Sequence, residues 1–115
     1  MQNLDWRQLE AVPWEPFGGQ IQGIFRKNLS MRVFPSGFKA SLTLAKPGGT
    51  FPDHVDPYTH LFYILEGEGE AVVDGRTVPL TRGIALTVRA GQTHGYRNVS
   101  GGDLFLITLN IYEVP

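Results

Sequence analysis

The feature that most limits what this chain can become is the spacing of its breakers. Fourteen glycines and eight prolines are spread along 115 residues, and the intervals between them are short runs rich in Val, Ile, Leu, Phe and Thr. No interval carries a convincing long helical pattern, whereas each is the right length for a strand bounded by turns. The candidate strands are IQGIFRK from Ile21, SMRVF from Ser30, FKASLTLA from Phe38, HLFYILE from His60, GEAVVD from Gly69, RTVPL from Arg76, IALTV from Ile84, HGYRNV from His94 and LFLITLNIY from Leu104. So many strands in one small domain point to a sandwich or a closed barrel, because closure removes edges that would otherwise pair with other chains. Asp74-Gly75 is the strongest hairpin signal, and Pro79 marks RTVPL as an edge strand or a bulge. Residues 1–20 carry Trp6, Trp14 and Phe17 among Pro and Gly, and read as an arm packed on the barrel or on a dimer partner. Residues 21–115 are left as a single all-β domain.

Composition narrows the function. A chain with 42% hydrophobic and 18% charged residues fits one domain with a modest core. Having no cysteine, it has neither disulfides nor thiolate ligands, so any metal must be held by nitrogen and oxygen. The formal charge is −1 and the ten Lys and Arg residues are scattered, which speaks against a nucleic-acid footprint. The N-terminal MQNLDWRQLE has no apolar export segment and LFLITLNIY is too short to span a bilayer. The expectation is a cytoplasmic protein whose partner is a small molecule, with no membrane and no nucleic acid.

All three histidines fall in two patterned segments. The first is Gly48-x5-His54-x-Asp56-x3-His60-x6-Gly67, and the second is Gly83-x7-Gly91-x2-His94-x3-Asn98. Together they resemble the two motifs of the cupin family and cover roughly half the chain. The resemblance implies a double-stranded β-helix, the cupin jelly-roll barrel, with one divalent transition metal near the barrel mouth. By the same resemblance His54, Asp56, His60 and His94 would hold that ion. The family more often shows His-x-His followed by Glu. Here Asp56 stands at the second histidine position and His60 at the glutamate position, so three histidines and one carboxylate are kept with two places exchanged. HVDPYTH is thereby more similar to the small single-domain manganese cupins with histidine-rich sites than to the Glu-bearing dioxygenases.

Chemistry gives reasons for the spacing. Residues i and i+2 of a strand share a face, so His54 and Asp56 can approach one ion together. His60 would begin the next strand after Pro57 turns the chain, and His94 would close the site from the neighbouring sheet. Neutral imidazoles suit manganese, iron, nickel, zinc or copper, and open coordination positions would permit chemistry. Asp56 is either a direct ligand or a shorter carboxylate that orients an imidazole or ends a turn before Pro57. The motif glycines serve backbone turns, and Asn98 makes turn hydrogen bonds.

Alternation places Phe62 and Ile64 on the side of His60, and Tyr96 on the side of His94. Phe62, Tyr96 and Thr108 are the candidate substrate-pocket residues, Phe62 and Ile64 serving equally well as core. Ser41 and Thr43 alternate with Leu42 and Leu44, and Thr108 and Asn110 with Leu109 and Ile111; the sequence leaves open which phase faces inward.

The expected function is a metal-dependent enzyme acting on a small oxygenated organic molecule. Its chemistry would be dioxygenase-like oxidation, making it an oxidoreductase, or Lewis-acid isomerisation or lyase chemistry. Two alternatives remain beside it: a uronate- or sugar-processing cupin, which WEPFGGQIQGIFRK loosely resembles, and a binding or sensor module without turnover. A homodimer is expected, because short strands leave edges to cover and the aromatic arm has few charges.

Overall fold

The structure, a computed structural model, describes residues 4–113; the first three residues of the arm lie outside the described residues. A single 3-10 turn, Leu9–Ala11, precedes nine strands. These are β1 (Glu15–Gly18), β2 (Ile21–Asn28), β3 (Lys39–His54), β4 (Thr59–Glu66), β5 (Glu68–Val73), β6 (Arg76–Thr81), β7 (Ala85–Val88), β8 (His94–Arg97) and β9 (Leu104–Ile111). They form one curled antiparallel sheet in the order β6-β5-β8-β3-β9-β4-β7, with β2 added to β3 and β1 to β2. The strand spacing pointed to a sandwich or closed barrel, and the architecture is the all-β jelly roll that the resemblance implies.

The long β3 organises the barrel. Its first part, Lys39 to Ala45, pairs with β9 on one side, and Ser41 to Ala45 pair with β2 on the other. Its last part, from Thr50 to His54, pairs with β8. Between them Lys46-Pro47-Gly48-Gly49 bends the strand from one layer of the roll to the other. Gly49 is required at this corner, because a Cβ there would lie 2.6 Å from the Gly23 carbonyl oxygen; Gly23 itself sits at φ 70°, at a register shift in β2. The core between the layers is built from Ile24, Ile64, Leu80, Val88, Leu104 and Leu106, each no more than 1% exposed.

Turn chemistry follows the sequence. Asp74 and Gly75 both take positive φ, 48° and 80°, the requirement of a two-residue turn that matches strand twist, and they join β5 to β6. Pro79 lies in β6, which ends the strand order, so its missing donor leaves no ladder bond unmade.

Two readings of the chain need correction. SMRVF is not a strand: Ser30 to Phe34 form an irregular loop in which Met31 is 76% and Val33 90% exposed. The Arg32 amide donates to the Ser30 hydroxyl at 3.0 Å and Phe34 packs edge-on against Phe38 at 5.6 Å, so local bonds replace a ladder and β-propensity finds no partner strand. Conversely, the arm contains a strand. Its Pro and Gly obscure β1, which pairs only with β2, so Pro16 is tolerated on an edge. Upstream, Trp14 lies 6.4 Å from Phe105 and 4.5 Å from the Lys27 ammonium, which donates to the Leu9 carbonyl at 2.7 Å. The arm thereby lies along the outer face of β2 and β9.

Candidate metal centre

The layer change in β3 carries His54 to the mouth of the barrel. There His54 is the registered partner of His94, the first residue of β8. His94 thus comes from the adjacent strand of the same curled sheet, where sequence reading placed it across the site; the spacing of two separated motifs does not reveal that their strands pair. Close pairing of β8 with β3 explains Gly95, since a Cβ at that position would lie 2.6 Å from both the Phe51 carbonyl oxygen and Asp53 Oδ1. His60, the second residue of β4, pairs with Asn110 of β9. Asp56 does not extend β3; it lies in the connection to β4, where its carbonyl accepts from the Gly91 amide at 3.0 Å.

These four side chains converge. Each offers one donor atom, and the four atoms lie within 4.8 Å of one another. Asp56 Oδ2 is 2.8 Å from His60 Nε2, 2.9 Å from His54 Nε2 and 3.6 Å from His94 Nε2. The far side of every ring is also fixed: His54 Nδ1 meets the Pro52 carbonyl at 2.8 Å, His94 Nδ1 the Gln92 carbonyl at 3.0 Å, and His60 Nδ1 the Asn110 Oδ1 at 2.7 Å. All three partners are acceptors, so each Nδ1 donates to the atom behind it and each Nε2 is turned toward the other rings and toward the carboxylate. Four donor atoms converge on one point, and this nitrogen and oxygen set, with every imidazole anchored from behind, fits a divalent transition metal.

The electrostatics agree. Burial alone would raise the Asp56 carboxyl, but the hydrogen bond from His60 and the fields of His54, His60 and His94 outweigh it and hold the pKa below its ordinary value. Burial lowers His94, and the neighbouring His54 and His60 add to that, against the opposing Gln92 carbonyl and Asp56. An imidazole that stays neutral is a ready ligand.

The cluster lines a cavity of about 510 Å³, within the range of small-molecule sites. Phe62, Tyr96 and Thr108 all line it, as do Ser41, Thr43 and Asn110, so it is the polar phase of β3 and β9 that faces inward. Leu42, Leu44, Phe105 and Ile107 occupy the opposite phase, beneath the arm. The hydroxyls of Thr43 and Thr108 are 3.0 Å apart. Aromatic rings make the rest of the wall. Phe51 stacks on His54 at 4.6 Å, Phe62 stacks on His60 at 5.4 Å, and Tyr96 lies 5.4 Å from Phe51. Burial pushes the Tyr96 phenol well above its ordinary value, so it stays a donor. Tyr58 and Arg26 also line the cavity, with Phe17 reaching it from β1; these three were missed in the sequence. The inward alternation of Arg26 with Ile24 was the one available signal. Asn98 is structural as expected: its amide donates to the Ala45 and Gly102 carbonyls at 2.8 and 2.7 Å.

The Cupin_2 family, a cupin domain, matches residues 41–112. The chain belongs to the cupin family. Among its relatives, the polyketide synthase CurC of Streptomyces cyaneus is 37% identical over 65 residues, which are 56% of this cupin and 42% of that protein. The chain therefore spans less than half the length of this curated relative. Two solved structures share the fold. An RmlC-like cupin from Shewanella frigidimarina superposes with a TM-score of 0.77 at 25% identity, covering 94% of this cupin and 90% of the other chain. The polyketide cyclase RemF from Streptomyces resistomycificus superposes with a TM-score of 0.77 at 23% identity, covering 100% of this cupin and 82% of that chain. No helix among the described residues is long and apolar enough to cross a membrane.

Proposed function

We propose that this cupin is a metal-dependent enzyme that closes or rearranges carbon rings in a flat, oxygen-rich substrate carrying several carbonyl groups. The observation that carries the reading is the convergence of three anchored Nε2 atoms and the Asp56 carboxylate on the wall of an aromatic-lined cavity. Likeness to a polyketide synthase and to a polyketide cyclase favours polycarbonyl substrates over uronates. His54, Asp56, His60 and His94 would hold the ion, with Asp56 as a direct ligand. When bound, a divalent ion supplies Lewis acidity at a carbonyl oxygen.

The chain's own residues do the rest. Phe51, Phe62 and Tyr96 present ring faces and edges against which a planar substrate lies, which limits its tumbling and brings distant carbons together. The bonded hydroxyl pair of Thr43 and Thr108 keeps one free proton, and it and the un-ionised phenol of Tyr96 offer donors to further carbonyl oxygens. Asn110 fixes His60 by accepting a hydrogen bond from its Nδ1. The rings around the cluster exclude water, which strengthens each of these polar contacts.

The test is turnover of a linear poly-β-ketone by protein loaded in turn with manganese, iron, nickel, zinc and copper, followed by mass spectrometry and an oxygen electrode. The expected product is ring-closed and has lost water, with no oxygen consumed. Oxygen uptake in step with product would replace this reading by a dioxygenase, and saturable binding without turnover in any metal form would replace it by a sensor.

A homodimer is also proposed. The exposed Trp6, Met31 and Val33 would pack across a two-fold axis.

A further inference from the structure

The substrate's charge is written in Arg26. In β2 the inward phase runs Ile24, Arg26, and the outward phase holds Lys27, whose ammonium is satisfied by the Leu9 carbonyl and the face of Trp14. Arg26 has no such arrangement. It is the registered partner of Thr43 and lines the same cavity as the histidine cluster. Its guanidinium carbon lies 4.6 Å over the Phe17 ring. Its Nε is buried and has no hydrogen-bond partner, and none of the ion pairs among the described residues includes it.

Arg32, Arg97 and Arg7 differ from it. Arg32 pairs with Asp5 at 3.2 Å, Arg97 pairs with Glu70, and Arg7 donates to the Asn28 carbonyl at 2.8 Å, all at exposed positions. A guanidinium remains charged under all ordinary conditions, and a donor withheld from water without an acceptor is costly. A planar cation held against an aromatic ring, on a cavity wall and outside every ion pair among the described residues, is a receptor for a planar anion.

We propose that Arg26 binds a carboxylate of the substrate, so that the cavity takes conjugated or aromatic acids with the acid group on the β2 wall and the reacting oxygens toward the histidine cluster. The second half of this statement rests on the metal reading above; the first does not. Phe17 caps the guanidinium from the β1–β2 hairpin, and the Thr43 hydroxyl beside Arg26 adds a neutral donor to the same wall.

The test is direct binding of 2-naphthoate and its neutral counterpart 2-naphthamide to the full chain by calorimetry, with metal content measured separately by elemental analysis. Wild-type protein is expected to prefer the acid by at least about tenfold, the range for a hydrogen bond to a charged group. Arg26→Gln is expected to lose that preference, and Arg26→Lys to keep part of it, with metal content unchanged in both. Equal affinity of wild-type protein for acid and amide would overturn the proposal without recourse to any variant. Undiminished acid preference in Arg26→Gln would also overturn it, placing the carboxylate elsewhere. Because the comparison is repeated on metal-free protein, a preference that survives there upholds Arg26 even if the metal reading fails, and failure of metal loading alone is seen in the elemental analysis.

Discussion

Of the three contacts that anchor the imidazoles from behind, two are backbone carbonyls and are beyond mutation. The third is a side chain, Asn110, whose Oδ1 accepts from His60 Nδ1 at 2.7 Å. Asn110→Ala therefore isolates the contribution of ring orientation without touching any donor atom. Losing it frees His60 to rotate and removes the acceptor that keeps the proton on Nδ1 and the lone pair on Nε2. Partners of this kind are worth about 10- to 100-fold in metal affinity, which corresponds to about 1.4 to 2.8 kcal/mol. The folded metal-free protein should lose about 1 kcal/mol, the ordinary net value of one hydrogen bond, so the two effects separate when urea unfolding and metal competition against a chelator are both measured. His60→Ala, which removes the ring itself, sets the upper limit and should cost far more than Asn110→Ala. Wild-type metal affinity in Asn110→Ala would refute the argument that anchored imidazoles define the site.

Asp56→Ala should weaken metal binding severely, since it removes the only anionic donor of the cluster, while Asp56→His should retain metal; near-normal affinity in Asp56→Ala, read by the same competition, would reduce the site to three histidines. Tyr96 has its pKa raised by burial above the ordinary 10.0, so in the unfolded chain it ionises first as pH rises. Its contribution to stability is complete below pH 10.0 and is lost above it; Tyr96→Phe should flatten the fall of urea midpoints in that alkaline range, and an unchanged slope would show that Tyr96 does not titrate this way. Light scattering should return the mass of a dimer at micromolar concentration, and a monomer mass would contradict the proposed two-fold packing.

The sequence made the all-β architecture and the candidate site residues legible to different depths, and the reasons are physical. All three histidines fall in two segments that resemble the cupin motifs, with Asp56 inside the first, so His54, Asp56, His60 and His94 stood out among 115 residues. Strand runs showed because apolar β-branched segments between breakers have few other uses. The failures occurred where partners decide the outcome. Ser30 to Phe34 has the composition of a strand and no neighbour to pair with, and Glu15–Gly18 has the composition of a turn and pairs with β2. The phase of β3 could not be read because both of its faces are covered: Thr43 is 1% exposed on the cavity side and Leu44 5% exposed on the other. Arg26 stayed hidden for a similar reason, because its meaning lies in a buried nitrogen without an acceptor, which is a property of the packed barrel.

The central claim is that four side chains at the barrel mouth hold one divalent transition metal. Elemental analysis of protein purified without a polyhistidine tag, before and after reconstitution with manganese, iron, nickel, zinc and copper, tests it most directly. The account requires close to one ion per chain in at least one of these forms, lost in His60→Ala. Absence of bound metal from every reconstituted sample, in protein that is folded by circular dichroism, would contradict it.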